Sequence, residues 1–262
     1  MAFFVNECEI DKYDATQYAD ALVKEGCRLD QYYIQPVCSP TRGAIMTGRY
    51  PSHTGIGPNV IFPTAPYGMP ACALPLIPPR AAPTPSLLTV DDREEVFLSQ
   101  KMKEAGYSTH AVGKWHLGYD LVDGSGDGPD PGDHGYDHWL ATGNNATPSH
   151  RNPVNFVRNG KALGKVEGYS CQIVVDEAID WLDNHRDKTK PFFLNVCFHE
   201  PHQRVASPPE LAARHPKVKQ PEYYGCIENM DDAAGRLLKK LDAMGVTDNT
   251  LVVFTSDNGS YR

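Results

Sequence analysis

The chain has 262 residues, 40% hydrophobic and 22% charged, enough to bury one large α/β core. A net charge of -8 leaves no basic footprint for nucleic acid. No run of about 18 apolar residues marks a membrane span, so any anionic substrate must be met by locally placed cations.

In chain order, Asp14 to Gly26 has helical spacing through Tyr18 and Leu22 and stops at a glycine. A short apolar segment, Leu29 to Val37, leads into Cys38, and Ser39 to Thr47 follows as a helix. Nine prolines between Pro58 and Pro85 exclude regular structure and predict a long surface loop over 58–85. Asp92 to Ala105 reads as a helix ended by Gly106, and Tyr107 to Val112 alternates as a strand that delivers Lys114 and His116. Ser170 to Asn184 is amphipathic through Ile173, Val174, Ala178 and Trp181, and the continuous apolar run Pro191 to Phe198 delivers His199. Tyr223 to Met244 is the next helix, closed by Gly245, and the apolar strand Thr250 to Thr255 delivers Asp257 and Asn258.

Three helix-then-strand units predict a mostly parallel, doubly wound α/β sheet flanked by helices, within one domain spanning 1–262. In each unit the polar candidates follow the C-terminal end of a strand, where ligands bind in such sheets. Seven cysteines, at positions 8, 27, 38, 72, 171, 197 and 226, show no paired spacing, so neither a zinc ribbon nor a dense disulfide framework is suggested. The opening Met1 to Glu7 is too short and too soon acidic for a signal peptide, which leaves the compartment unassigned.

Cys38 precedes a helix, whose first N–H groups and partial positive charge favour an anion, and Arg42 lies one turn on. By itself such a cysteine is as readily a small core hydrophobe. The longer run Gln35-Pro-Val-Cys-Ser-Pro-Thr-Arg-Gly-Ala-Ile-Met-Thr-Gly-Arg-Tyr50 closely resembles the signature of type I sulfatases, members of the alkaline phosphatase superfamily. In that family a Cys-x-Pro-x-Arg core directs oxidation of the cysteine to formylglycine. The resemblance implies a formylglycine at position 38, made by the formylglycine-generating enzyme.

Three further segments match the same family in order. Gly113-Lys114-Trp115-His116-Leu117-Gly118 resembles the segment whose lysine and histidine bind sulfate and the formylglycine hydroxyl. If the segment is extended, Lys114 and His116 share a face. Phe198-His199-Glu200-Pro201-His202 resembles the segment whose first histidine contacts the ester and protonates the leaving oxygen; His202 is either a pocket residue or a surface one. Ser256-Asp257-Asn258-Gly259 resembles the metal segment, in which an aspartate and an asparagine give oxygen ligands, with residue 38, to calcium or magnesium. Without that context Asp-Asn-Gly is an ordinary turn. His134 and His138 fall in a segment that resembles a structural turn of the family, and Asn145-Ala-Thr147 is a glycosylation acceptor if the protein is secreted.

The resemblance runs from about Glu9 to Ser260 and implies a sulfuric ester hydrolase with a Ca2+ or Mg2+ ion, acting on a sulfated sugar or an aryl sulfate. Family members begin with a strand that ends in an Asp-Asp pair, both metal ligands. Here Cys38 stands too near the start, Met1 to Val5 reads as foreign sequence, and Asp11 and Asp14 do not match the pair. The first strand and the small C-terminal domain, with the family's later sulfate-binding lysine, are therefore expected to be missing, and this chain to be inactive or nearly so. Two alternatives stay open: a phosphatase or phosphodiesterase of the same superfamily, and a non-catalytic fragment that binds sulfated ligands.

Overall fold

The computed structural model describes residues 2–5 (backbone only), 15–54, 95–118, 121 and 129–259. Among the described residues seven strands form one sheet: β1 Ala2–Val5, β2 Ser108–Lys114, β3 His138–Thr142, β4 Val157–Arg158, β5 Lys161–Ala162, β6 Phe192–Cys197 and β7 Val253–Ser256. Their order is β5-β4-β3-β2-β6-β1-β7, parallel except for the pairings β3 with β4 and β4 with β5. The helices are α1 Gln17–Glu25, α2 Cys38–Thr47, α3 Pro51–Thr54, α4 Leu98–Glu104, α5 Ser170–Asp180, α6 Pro209–Ala212 and α7 Pro221–Ala243. The predicted mostly parallel α/β sheet is thus present. The proline loop expected at 58–85 lies outside the described residues.

One expectation is corrected. The first strand is not missing: Ala2–Val5 lies between β6 and β7, with Phe3 opposite both Val196 and Phe254. Four residues of the type Ala-Phe-Phe-Val suit an interior parallel position, where both faces are covered and an unbroken apolar run replaces alternation. The same reasoning applies to β2, read as alternating, whose seven residues are all buried.

One face of the sheet packs Val112, Leu140, Leu194 and Val196 against Val174, Ala178 and Trp181 of the α5 region and Met230, Ala233 and Leu237 of α7. The other face buries Met46 of α2 with Phe97, Trp115, Trp139 and Phe193. This second cluster seats α2 on the sheet. α5 continues past Asp180 into a π-helical turn, Trp181–His185, so its predicted extent to Asn184 is met in two geometries. α1 is held at its start by Asp231 of α7, which accepts from the Tyr18 and Ala19 N–H groups at 2.8 and 2.9 Å, donors that have no intrahelical partner.

β2 and β6 are in tight contact at Gly113. Its φ is 101°, and a Cβ there would stand 1.8 Å from the Cys197 carbonyl oxygen. Only glycine permits both the conformation and the approach. This packing sets the end of β2 directly beside the end of β6.

Candidate active site

Four chain segments deliver polar side chains to the C-terminal edge of the sheet. Lys114 is the last residue of β2, His199 follows β6 by two residues, Asp257 and Asn258 follow β7, and Cys38 is the first residue of α2. Cys38 Sγ donates to Asn258 Oδ1 at 3.1 Å and accepts from Lys114 Nζ at 3.4 Å. Residues 76 and 220 positions apart in sequence therefore meet around one sulfur atom.

Arg42, one turn into α2, ties the strands together. Its Nε donates to Asp257 Oδ2 at 3.1 Å and its Nη1 to the Lys114 carbonyl at 2.8 Å. Both members of the ion pair are buried, Arg42 at 4% exposure and Asp257 at 0%. The fork of the guanidinium serves a carboxylate and a carbonyl from two separate nitrogens, where a lysine would offer one. The loop before α2 is clamped by Thr41, whose hydroxyl accepts from Gln35 N–H at 3.0 Å.

Burial raises the Cys38 thiol, against the opposing pull of the Lys114 ammonium. That is the reverse of an activated thiolate, so the unmodified cysteine is a poor nucleophile here. Lys114, 1% exposed, is lowered by the same desolvation. Arg42 and Lys114 against Asp257 still leave the site with more positive than negative side chains, as an anionic ester requires.

His116 does not extend β2. Its φ is 55°, so the chain turns at this residue, and the shared face expected of Lys114 and His116 is not how they come together. The turn still brings the ring near Lys114, Arg42 and His202, and burial first, then these groups, lower its pKa well below the usual histidine value.

His199 is fully buried, and its Nε2 lies 2.7 Å from Thr142 Oγ1. Because the Thr142 hydroxyl donates to the Asn144 carbonyl, its oxygen accepts from His199 Nε2–H. Burial, with His150, Lys114 and Arg42 nearby, lowers His199 well below the normal histidine range. Proton donation near neutral pH, expected from the residue type, is therefore opposed by the surrounding protein groups. A bound sulfate would work in the other direction.

His202 faces Asn145, with Nδ2 to Nδ1 at 3.0 Å, and is lowered by burial and by Lys114. It is half-buried, neither fully enclosed nor fully exposed. The Asn145 amide is engaged by this contact, so the predicted glycosylation acceptor is turned inward. His134 stacks on Phe97 at 3.7 Å, in keeping with a structural turn. Thr142 carries no motif that singles it out, and its strand-end position is the one signal for it, while Asn145 is marked in the sequence only as a glycosylation acceptor.

Asp257 and Asn258 offer two hard oxygen donors beside residue 38, the donor chemistry that calcium or magnesium takes. Calcium takes about six to eight oxygens, and among the described residues no group of three His, Cys, Asp or Glu side chains could hold a metal ion. The described residues fit part of a coordination shell.

Known proteins share the sequence pattern and the fold of this chain. A family model described as Sulfatase matches residues 6–262. Arylsulfatase J of Mus musculus is 30% identical over 93% of this chain, and N-acetylgalactosamine-6-sulfatase of Homo sapiens is 30% identical over 94%. The chain spans 38% and 45% of those two relatives' lengths. The crystal structure of Ps i-CgsB in complex with k-i-k-neocarrahexaose covers 99% of this chain and 58% of its own, with a TM-score of 0.76 at 24% identity, a likeness of fold. With the signature at Cys38, the strand-end partners around it and a family match over nearly the whole chain, the protein belongs to the sulfatase family.

Proposed function

We propose that this chain carries the catalytic site of a sulfuric ester hydrolase in which residue 38, oxidised to formylglycine, is the nucleophile. The observation that carries the reading is the convergence of Lys114, Arg42, Asp257 and Asn258 on residue 38 at the N-terminus of α2. One hydroxyl of the hydrated aldehyde attacks sulfur and displaces the alcohol. Loss of the proton from the other hydroxyl expels sulfate and restores the aldehyde, a release route that an unmodified cysteine or serine lacks.

Lys114, Arg42 and His116 hold the charge that develops on the sulfate oxygens, and His199 donates toward the leaving oxygen. His202 contributes to the pocket on the leaving-group side. Asp257, Asn258 and residue 38 would hold the cation, whose chemistry is to offset sulfate charge and ease deprotonation of the hydroxyl. Relatives named for N-acetylgalactosamine-6-sulfate hydrolysis support a sulfated sugar as the substrate class.

A second reading, a chain that binds sulfated ligands with little or no turnover, is compatible with the two oxygen donors, Asp257 and Asn258, beside residue 38 among the described residues. Both readings are separated by co-expression with the formylglycine-generating enzyme, mass spectrometry of the Cys38 peptide, and assay with an aryl sulfate across a calcium titration. The assay is run beside a variant with an Asp-Asp pair placed after β1. Oxidised residue 38 with calcium-dependent turnover supports the enzyme; restored turnover in the Asp-Asp variant alone supports the inactive chain. Unmodified cysteine throughout overturns the formylglycine mechanism.

A further inference from the structure

A second set of buried polar groups lies behind the loop that carries His199 and His202. Glu200 is 1% exposed and His150 is 0% exposed. Glu200 Oε1 accepts from the Ser170 hydroxyl and from the Cys171 N–H at 2.9 Å, while Oε2 accepts from the His199 N–H at 3.1 Å. Ser170 and Cys171 open the 11-residue helix α5, so one oxygen caps a helix start that would otherwise hold orphan donors. A cap needs no more than that oxygen, yet the other is used on His199.

His150 stands beside the same carboxylate oxygen that Ser170 bonds. Its Nδ1 lies 3.1 Å from Ser170 Oγ and 3.6 Å from Glu200 Oε1, and its Nε2 faces the His202 carbonyl at 2.5 Å. Ser170 has one hydroxyl proton, directed to Glu200, so its oxygen accepts from His150. His150 thus touches Ser170, Glu200 and the His202 carbonyl at once. Backbone bonds from His150 N–H to the Arg204 carbonyl at 3.3 Å and from Ser170 N–H to the His150 carbonyl at 2.7 Å close the unit.

We propose that Glu200, braced by His150 through Ser170, is a positioning residue that fixes the His199 backbone and thereby where the His199 ring meets the leaving oxygen. This rests on the leaving-group role given to His199 above. An amide at position 200 has one acceptor oxygen. With that oxygen kept toward Ser170 and Cys171, Glu200→Gln sets an NH2 group against the His199 N–H, donor against donor.

The test uses the chain with oxidised residue 38 and two aryl sulfates, 4-nitrophenyl sulfate and phenyl sulfate, whose leaving groups differ in their need for a proton. For Glu200→Gln we expect kcat/KM to fall roughly tenfold to a hundredfold with phenyl sulfate and less than about threefold with 4-nitrophenyl sulfate. A purely structural loss lowers both alike, and equal falls, or none, overturn the proposal. Amide hydrogen exchange at His199 is read in parallel and is expected to quicken by about tenfold or more; unchanged protection also overturns it. Ser170→Ala, which cuts the link to His150 and leaves the Glu200 to His199 bond, is expected to show the same pattern at smaller size. If Glu200→Gln does not fold, both readouts are taken on Ser170→Ala, where no change refutes the proposal. Absence of turnover by the unaltered chain on either ester counts against the sulfatase reading, and exchange at His199 then decides the anchor.

Discussion

Arg42→Met removes a cation that is 4% exposed from a carboxylate that is 0% exposed. The lost contacts are Nε to Asp257 Oδ2 at 3.1 Å and Nη1 to the Lys114 carbonyl at 2.8 Å. Breaking a buried ion pair on one side costs about 3 to 5 kcal/mol, because the remaining charge is left uncompensated. We expect Arg42→Met to destabilise by about 4 kcal/mol, a large share of a typical domain's stability. Arg42→Lys keeps the charge but offers one nitrogen in place of the two that reach Asp257 and the Lys114 carbonyl, and weakening of one buried acceptor's bond places it at about 2 kcal/mol. The double variant Arg42→Met with Asp257→Asn removes the stranded carboxylate and should recover about 2 kcal/mol relative to the single change. Urea unfolding at neutral pH with a chelator present reads these differences as midpoint shifts at constant slope. The reasoning is refuted if Arg42→Met unfolds within about 1 kcal/mol of the unaltered chain, or if the double variant is no more stable than the single one.

Gly113→Ala meets the Cys197 carbonyl oxygen at 1.8 Å with φ at 101°, so we expect a loss above about 4 kcal/mol; a thermal midpoint within a few degrees of the original would contradict the packing of β2 on β6. Burial holds His110 down to about 3, whereas an unfolded histidine titrates near 6.5. Its contribution is therefore complete above pH 6.5 and declines as the pH falls toward 3, at about 1.4 kcal/mol per unit once the unfolded state is protonated. Urea titrations at several pH values between neutrality and pH 5 should show a shallower acid slope in His110→Gln, and an unchanged slope would be evidence against it. For the proposed cation, Asp257→Asn should reduce calcium-dependent turnover to background, and turnover indifferent to both this change and chelation would remove Asp257 from the metal shell.

Much of the site was legible because local periodicity and short signatures report on the residues around them. Apolar runs ending in Lys114, His199 and Asp257 marked strand ends, and strand ends of a parallel sheet are where side chains converge. The run from Gln35 to Tyr50 carries Cys38 and Arg42 together, because both sit on one turn of one helix. Other features were not legible. The first strand was misread because four apolar residues have no period of their own, and only the vacancy between β6 and β7 defines their place. The turn at His116 breaks the strand's alternation through a positive φ that no neighbouring residue announces.

Sequence by itself determined the family, the parallel α/β class and the identity of the side chains that meet at residue 38. Tertiary structure decided how those side chains are held and charged. Thr142 on His199, Asn145 on His202, Arg42 on Asp257 and Glu200 on the start of α5 are contacts between segments 30 to 215 positions apart. Such pairings depend on loop closure and burial, which no local pattern encodes. Burial also sets the low pKa of His116 and His199 and the raised thiol of Cys38, since desolvation is a property of the packed neighbourhood and not of the residue.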